Sequence, residues 1–457
     1  MTPITSQLAE PLEPRVIRQL QAQIAAELSR ETQRREAQGE PELTRADEQQ
    51  YAITLIQQAV GEHMQRRLRD AEDVPVDRSL DERLAAAVYS AMYAAGELQA
   101  MLDDPDVENI DINGCDEMWV TYARDSTRGH ENGGTPQGPF TIAPTDDDLI
   151  TLIQAQAAHA GINARPWTPA TPQLDLRLGD GSRLSAVMIA GERPSVSIRR
   201  NRFPQMFLPT LIGLETIDER LGYFLSATVK ARMNLMVCGA TNSGKTSTLR
   251  ALINEVPPEE RLITVEKALE LGLRRHPDLH PNVVEWEMVL PDPEGRGGIS
   301  MADLVQRSLR QNPDRVIVGE VLGDEIVTML NAMSQGNDGS LSTIHARSAV
   351  ATLDRIASYA AQAEGLSFEV THALVAGAID FILCIRQNPL MGGRRAVTEV
   401  LEVTGFDGER VTRSHVFVPD PVTGRAARDT DVAIREDRVK RLSDAGYNDT
   451  AWYGSYR

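Results

Sequence analysis

Cysteine is scarce: Cys115, Cys238 and Cys384 are the three in the chain, widely spaced and without a C-x-x-C pair. That arrangement points away from a disulfide framework and a thiolate zinc site, and it fits a reducing compartment. Long apolar runs are missing too. The most apolar late stretch, THALVAGAIDFILCI, is interrupted by His372 and Asp380 and is too short to span a bilayer. The N-terminal MTPITSQLAEPLEPR has no basic start followed by an apolar core, so it does not read as a secretory signal. Positive charge is the third deficit: 47 Lys and Arg stand against 66 Asp and Glu, a formal net charge of -19. Such an excess opposes sequence-independent attraction to nucleic-acid phosphates and anionic lipid. Nucleic acid is therefore not an expected partner, and any membrane role has to run through another protein.

What is present is a chain of 457 residues with 41% apolar and 25% charged side chains, the balance of a packed, water-soluble protein of two or three folded units. Val16, Leu20, Ile24 and Leu28, then Tyr51, Leu55, Val60 and Met64, recur at helical spacing and predict two helices in an N-terminal arm over residues 1–75. A third helix is expected between the Ser79–Glu82 capping box and Gly96. From VENIDINGCDEMWVTYA the period shortens to two, and LDLRLGDGSRLSAVMI and SVSIRR repeat it, so residues 76–200 read as an α/β domain. Two prolines and weak periodicity mark residues 201–215 as a linker. Residues 216–420 open with helix, strand, Gly-rich loop, helix and strand, the βαβ pattern of a parallel sheet, and residues 421–457 read as a tail.

The Gly-rich loop carries the chemistry. In VCGATNSGKTSTLRAL, Gly239, Gly244, Lys245 and Thr246 fit G-x-x-x-x-G-K-[ST], with Thr241, Asn242 and Ser243 in the turn and Ser247 behind Thr246. An apolar strand precedes it and a helix follows, as the motif requires. Backbone N–H groups freed by small residues and a helix N-terminus together hold a phosphate; Lys245 is placed for the β/γ oxygens of ATP and the Thr246 hydroxyl for Mg2+. Hydrolysis also needs an acid on a neighbouring strand. In DRVIVGEV, Glu320 is expected just past the end of a buried strand, as metal ligand or water-orienting group. Two further elements converge: LITVEKALEL puts Glu266 at a strand end with Glu270 four residues on, and GSLSTIHA ends a strand on His345, a candidate γ-phosphate or water sensor.

These four elements, in this order, resemble the type II/type IV secretion ATPase superfamily, and most closely its CpaF/TadA branch. The similarity also takes in LDDPDVENIDING, LDLRLGDGSRLSAV and SVSIRR before the loop, and RRAVTEVLEVTGFDGERV after it. The resemblance implies an α/β fold in which the N-terminal α/β domain precedes a RecA-like P-loop NTPase domain with a central parallel sheet and C-terminal hairpins. It implies a homo-hexameric cytoplasmic ring working through an inner-membrane platform protein. It further implies that arginines of the N-terminal domain close on the phosphates: Arg177 in LDLRL and Arg199 in SVSIRR, with Arg183 as a third candidate. Three positions depart from the superfamily pattern: Lys267 stands where an Asp follows the first Glu, Leu322 where an Arg follows the strand acid, and Asn337 where a His precedes Asp-Gly.

The resulting expectation is an ATP-hydrolysing motor for a tight-adherence (Flp-type) pilus or for protein secretion, with Glu320, Glu266, His345, Arg177 and Arg199 as catalytic residues. The ATPase of a conjugative or type IV secretion channel is the close alternative. A nucleotide-gated ring module without turnover is the alternative from another class, favoured by Lys267, Leu322 and Asn337 and opposed by Lys245 and Glu320. A helicase shares the loop, but the chain has no basic, aromatic-rich stripe.

Overall fold

A computed structural model describes residues 14–38, 43, 45–70, 80–93, 98–123, 133–143, 145–158, 167–202, 205–291, 295–334 and 336–448. The expected helix ends at Ser79 and Gly96, and part of the long hairpin tip before Pro136, lie outside these residues. The chain divides into two compact units, Met1–Arg202 and Phe203–Arg457.

The first unit begins with α1 (Pro14–Gln38), α2 (Arg45–Asp70) and α3 (Leu80–Tyr93). The helical spacing read from the sequence becomes a small core: Leu20 and Ile24 of α1 pack with Ile56, Ala59 and Val60 of α2. Leu84 and Val88 of α3 join the same cluster, so the helical layer continues past the arm into the stretch read as the start of the α/β domain. There follow α4 (Leu98–Asp103), β1 (Val107–Ile112), β2 (Met118–Tyr122), β3 (Pro136–Phe140), α5 (Asp146–Ala158), β4 (Gln173–Arg177), β5 (Arg183–Val187) and β6 (Ser195–Arg199). The strands form one sheet in the order β3-β2-β1-β6-β5-β4, with every neighbour antiparallel. Alternation decides its faces: Leu174, Leu176, Leu184, Ala186, Val196 and Ile198 turn into the core with Ile110, Leu149 and Trp167. Their polar neighbours occupy the other face.

The second unit contains α6 (Leu208–Gly213), α7 (Glu219–Lys230), β7 (Leu235–Gly239), α8 (Lys245–Ile253), β8 (Leu262–Glu266), β9 (Val283–Glu287), α9 (Met301–Ser308) and β10 (Arg315–Val321). It continues with α10 (Glu325–Ser334), β11 (Leu341–His345), α11 (Ala349–Glu364), α12 (Phe368–Ala378), β12 (Phe381–Asn388), β13 (Arg394–Phe406), β14 (Val411–Pro419), β15 (Ala426–Arg428) and α13 (Glu436–Asp444). Its nine-stranded sheet has the order β15-β14-β13-β12-β7-β11-β10-β8-β9. From β12 to β9 the neighbours run parallel, and β13, β14 and β15 extend the sheet antiparallel.

Helices cover both faces of this sheet, so its central strands are apolar throughout rather than alternating. Leu235 and Val237 face α6, α7 and α8, while Met236 and Cys238 face the layer of α9 to α12. Two stretches that look irregular in sequence belong to this core. Leu208 and Leu211 of α6 lie in it, within the segment read as a linker, and Ala426, Leu442 and Tyr447 lie in it from the segment read as a tail. Consecutive β7 and β8 are not neighbours, because β11 and β10 lie between them.

A buried ion pair anchors the base of β10. Arg315 is fully buried, and its Nε and Nη2 each lie 2.8 Å from a different oxygen of Glu260, while Nη1 donates to Val229 O at 2.8 Å. Truncating one partner strands the other in a dry environment, so Arg315→Ala should cost about 3–5 kcal/mol of unfolding free energy, read by urea denaturation. A loss below about 1 kcal/mol would mean that the pair behaves as an exposed one.

Candidate active site

β7 delivers the loop at its carboxyl end, where ligands of parallel sheets bind. Gly239 closes the strand because nothing larger fits: a Cβ there would lie 2.3 Å from Ile385 O and 2.4 Å from Ser243 Oγ. The turn then uses left-handed backbone twice, at Asn242 (φ 60) and Gly244 (φ 101), and α8 starts at Lys245. Thr241 is exposed, Ser247 half-buried and Ser243 buried, with its Oγ unpartnered among the described residues. A loop of small residues that runs into the N-terminus of α8 suits the phosphate of a nucleotide.

Lys245, Glu320 and His345 meet at this loop, although they come from three different elements. The parallel pairing of β11 with β7 sets His345 opposite Gly239. Lys245, 6% exposed, donates from Nζ to Ala240 O at 3.1 Å and to His345 Nδ1 at 3.1 Å, with Glu320 Oε1 3.6 Å away. His345 Nε2 lies 2.9 Å from the same Glu320 oxygen. A lysine that donates to Nδ1 requires a lone pair there, which leaves the imidazole proton on Nε2 to be donated to Glu320. Glu320 is not past the strand end as the sequence suggested. β10 runs on to Val321, and its register with β11 shifts between Val318 and Val321. An irregularity of that kind re-aims a side chain without ending the strand.

Glu266 takes a different position. It ends β8, which lies beyond β11 and β10 from the loop strand, and it is 3% exposed. Its Oε1 accepts from Glu270 N at 2.9 Å and Leu271 N at 3.1 Å, closing the turn that follows, and its Oε2 is buried without a partner among the described residues. Burial pushes its carboxyl up to about 8, so at neutral pH it is mainly protonated. Glu270 is the acid of this segment that touches the loop helix: Thr246 Oγ1 donates to its Oε2 at 2.9 Å. Arg250 holds the turn in place through Leu271 O at 3.1 Å and Glu270 O at 2.7 Å. The spacing of four between Glu266 and Glu270 is the signal that two acids share this turn; which one faces Thr246 is set by the fold.

Arg177, Arg183 and Arg199 belong to the first unit and form a row there. Arg177 is paired with Arg183 across β4 and β5, and Arg183 with Arg199 across β5 and β6. Directly opposed residues project from the same side of a sheet, so three cations share the polar face. Of the three departures, Lys267 is exposed, Leu322 is 39% exposed and gives its N–H to Glu325, and Asn337 Nδ2 approaches Ala332 O at 3.5 Å.

Residues 149–414 match the family described as Type II/IV secretion system protein. The chain is 36% identical over 318 residues to protein VirB11 of Rhizobium radiobacter, covering 62% of this chain and 86% of that one. It is 29% identical over 330 residues to a Mycobacterium tuberculosis protein named for conjugal transfer, covering 70% and 88%. Among solved structures, the VirB11 ATPase of the Brucella suis type IV secretion system in complex with sulphate aligns over 69% of this chain and 96% of that one, at 25% identity and a TM-score of 0.35.

The raised carboxyl of Glu266 gives a pH dependence with a definite sign. Between its ordinary value of 4.5 and about 8 the unfolded chain has lost this proton and the native chain keeps it. The native state binds more protons in that window, so this residue's contribution to stability falls as the pH rises. Glu266→Gln should remove that slope, and its stability relative to the unsubstituted chain should rise by a few kcal/mol (on the order of 2–4) between pH 5 and pH 8, measured by urea denaturation. A constant difference at the two pH values would show that Glu266 is ionised in the native state.

Proposed function

The chain belongs to the type II/IV secretion system protein family, and on that premise we propose that it is an ATP hydrolase that drives macromolecular export across the cell envelope. The observation that carries this reading is the convergence of Lys245, Glu320 and His345 on the loop of residues 239–246. Within the family we place it in the tight-adherence, Flp-type pilus branch. The relatives named for VirB11 and for conjugal transfer support the ATPase of a conjugative channel equally well.

The residues fit a magnesium nucleotide. The Gly-rich loop runs into the N-terminus of α8, Lys245 supplies a buried cation, and Thr246 offers a hydroxyl beside Glu270. Mg2+ held by Thr246 and Glu320 would neutralise charge on the β- and γ-phosphate oxygens of ATP. Lys245 exchanges its bonds to Ala240 O and His345, and its longer approach to Glu320, for the several anionic oxygens of the phosphates. Glu320, released from the lysine, orients the attacking water and accepts its proton, while the Nε2–H of His345 holds the carboxylate in place. Glu266, protonated and tied to the 270–271 turn, serves by fixing Glu270 beside Thr246 rather than by touching water. Arg177 and Arg199 act as phosphate ligands that stabilise transition-state charge, and each is worth orders of magnitude in rate.

In this proposal the subunits assemble as a homo-hexameric ring in the cytoplasm and pass their motion to an inner-membrane platform protein. Among the described residues no helix is long and apolar enough to cross a membrane. A second reading, a nucleotide-binding ring module without turnover, rests on the exposed apolar Leu322 at a position where the superfamily carries an arginine.

Steady-state ATP hydrolysis by the full chain beside Glu320→Gln, with nucleotide binding measured in both, separates the readings. Turnover should fall by about 100-fold or more while binding persists. A wild-type chain that binds Mg-ATP but, even when assembled into rings, turns over no faster than a Glu320→Gln protein at background rate would leave the non-hydrolysing module as the correct reading.

A further inference from the structure

The first residues of β13 reach the phosphate loop from the other end of the chain. Arg395 Nε donates to Asn242 O at 3.1 Å and its Nη2 donates to Asn242 Oδ1 at 3.1 Å, so the planar fork spans the backbone and the side chain of one residue. The stem of the same arginine lies against Gly244, its Cδ 3.2 Å from where a Cβ would sit. Asn242 is the non-glycine residue of the loop in the left-handed region, at φ 60, a conformation that needs support from its surroundings outside glycine.

The residue before it makes a parallel contact elsewhere. Arg394 pairs with Glu215, which is itself left-handed at φ 56, and Val397 N donates to Thr216 O at 2.9 Å. One short stretch of β13 therefore grips both the loop crest and residues 215–216, at the exit of α6.

We propose that Arg395 is a positioning residue of the phosphate loop: it holds Asn242 in its left-handed conformation, so that the loop keeps its phosphate-binding shape before nucleotide arrives. This rests on the nucleotide-site reading above. Preorganised donors lose little freedom on binding, whereas a loop that must first find its conformation binds in proportion to the fraction of time it is correctly shaped. Arg395 contacts the loop rather than the reacting phosphate, so its loss falls mainly on nucleotide affinity. Lysine cannot replace it fully, because one ammonium does not reproduce two donors at fixed separation.

The test uses the full chain, ADP as the binding probe and ATP for kinetics. Arg395→Ala should weaken ADP binding by about tenfold, with the larger share of its kinetic loss in KM rather than kcat. Arg395→Lys should recover part of that affinity. The decisive comparison is the same alanine substitution made together with Asn242→Gly. Glycine takes the left-handed conformation unaided, so in that background Arg395→Ala should cost about twofold or less. An equal cost in both backgrounds would overturn the proposal, as would an Arg395→Ala protein with unchanged ADP affinity. A wild-type chain that binds no ADP would overturn the nucleotide-site reading itself; wild-type binding with equal costs would overturn only the role of Arg395. Circular dichroism of each variant confirms that the comparison is made between folded proteins.

Discussion

A lysine ammonium buried to 6% exposure is the constraint around which the second unit is arranged. Charge in a dry environment must be compensated by hydrogen bonds and opposite charge. Lys245 finds a carbonyl oxygen at 3.1 Å, an imidazole nitrogen at 3.1 Å and one carboxylate oxygen at 3.6 Å. These acceptors are enough to keep the cation in place, and a polyanion offers it better ones. The parallel sheet makes the arrangement possible, because β7, β10 and β11 all end on the same side and carry the loop, Glu320 and His345 to one edge.

The rest of the unit supports that edge. β12 and β13 back the loop through Ile385 and Arg395, and this explains why the chain continues well beyond the catalytic strands. Two clusters of buried charge hold the framework away from the site: Arg315 with Glu260 at the base of β10, and Arg438 with Glu402 and Asp380 where α13 meets the sheet. Glu266 differs from these carboxylates in facing backbone amides instead of a cation, and burial keeps it largely neutral.

Much of the site could be read from the chain because the relevant signals are local. A glycine-rich loop between an apolar strand and a helix is contained in a few residues, Glu320 follows the apolar run Val316–Val318, and His345 ends the short strand stretch LSTIH after a Gly-rich turn. Glu266 ends its strand as expected, but its distance from the loop strand was not readable, since it depends on β11 and β10 lying between β7 and β8 and on a turn that folds back over the side chain. Arg395 carries no local mark at all: it is one of two adjacent arginines opening a strand, and its partner lies 153 residues earlier. The segment 201–215 looks like a connector because two prolines and weak periodicity interrupt its apolar residues, and residues 421–448 fall within the stretch read as a tail. Leu208, Leu211, Ala426 and Leu442 nevertheless enter the core, since tertiary packing needs only one buried residue per turn or bridge.

The site depends most directly on Lys245 being held ready for a phosphate. Calorimetric titration of the full chain with Mg-ADP, beside Lys245→Ala, addresses that dependence without relying on turnover or assembly. The wild-type chain should bind saturably and the variant should lose about 100-fold or more in affinity, with both proteins folded. Equal affinity in the two would contradict it, because the buried cation would then contribute nothing to the ligand for which the loop is shaped.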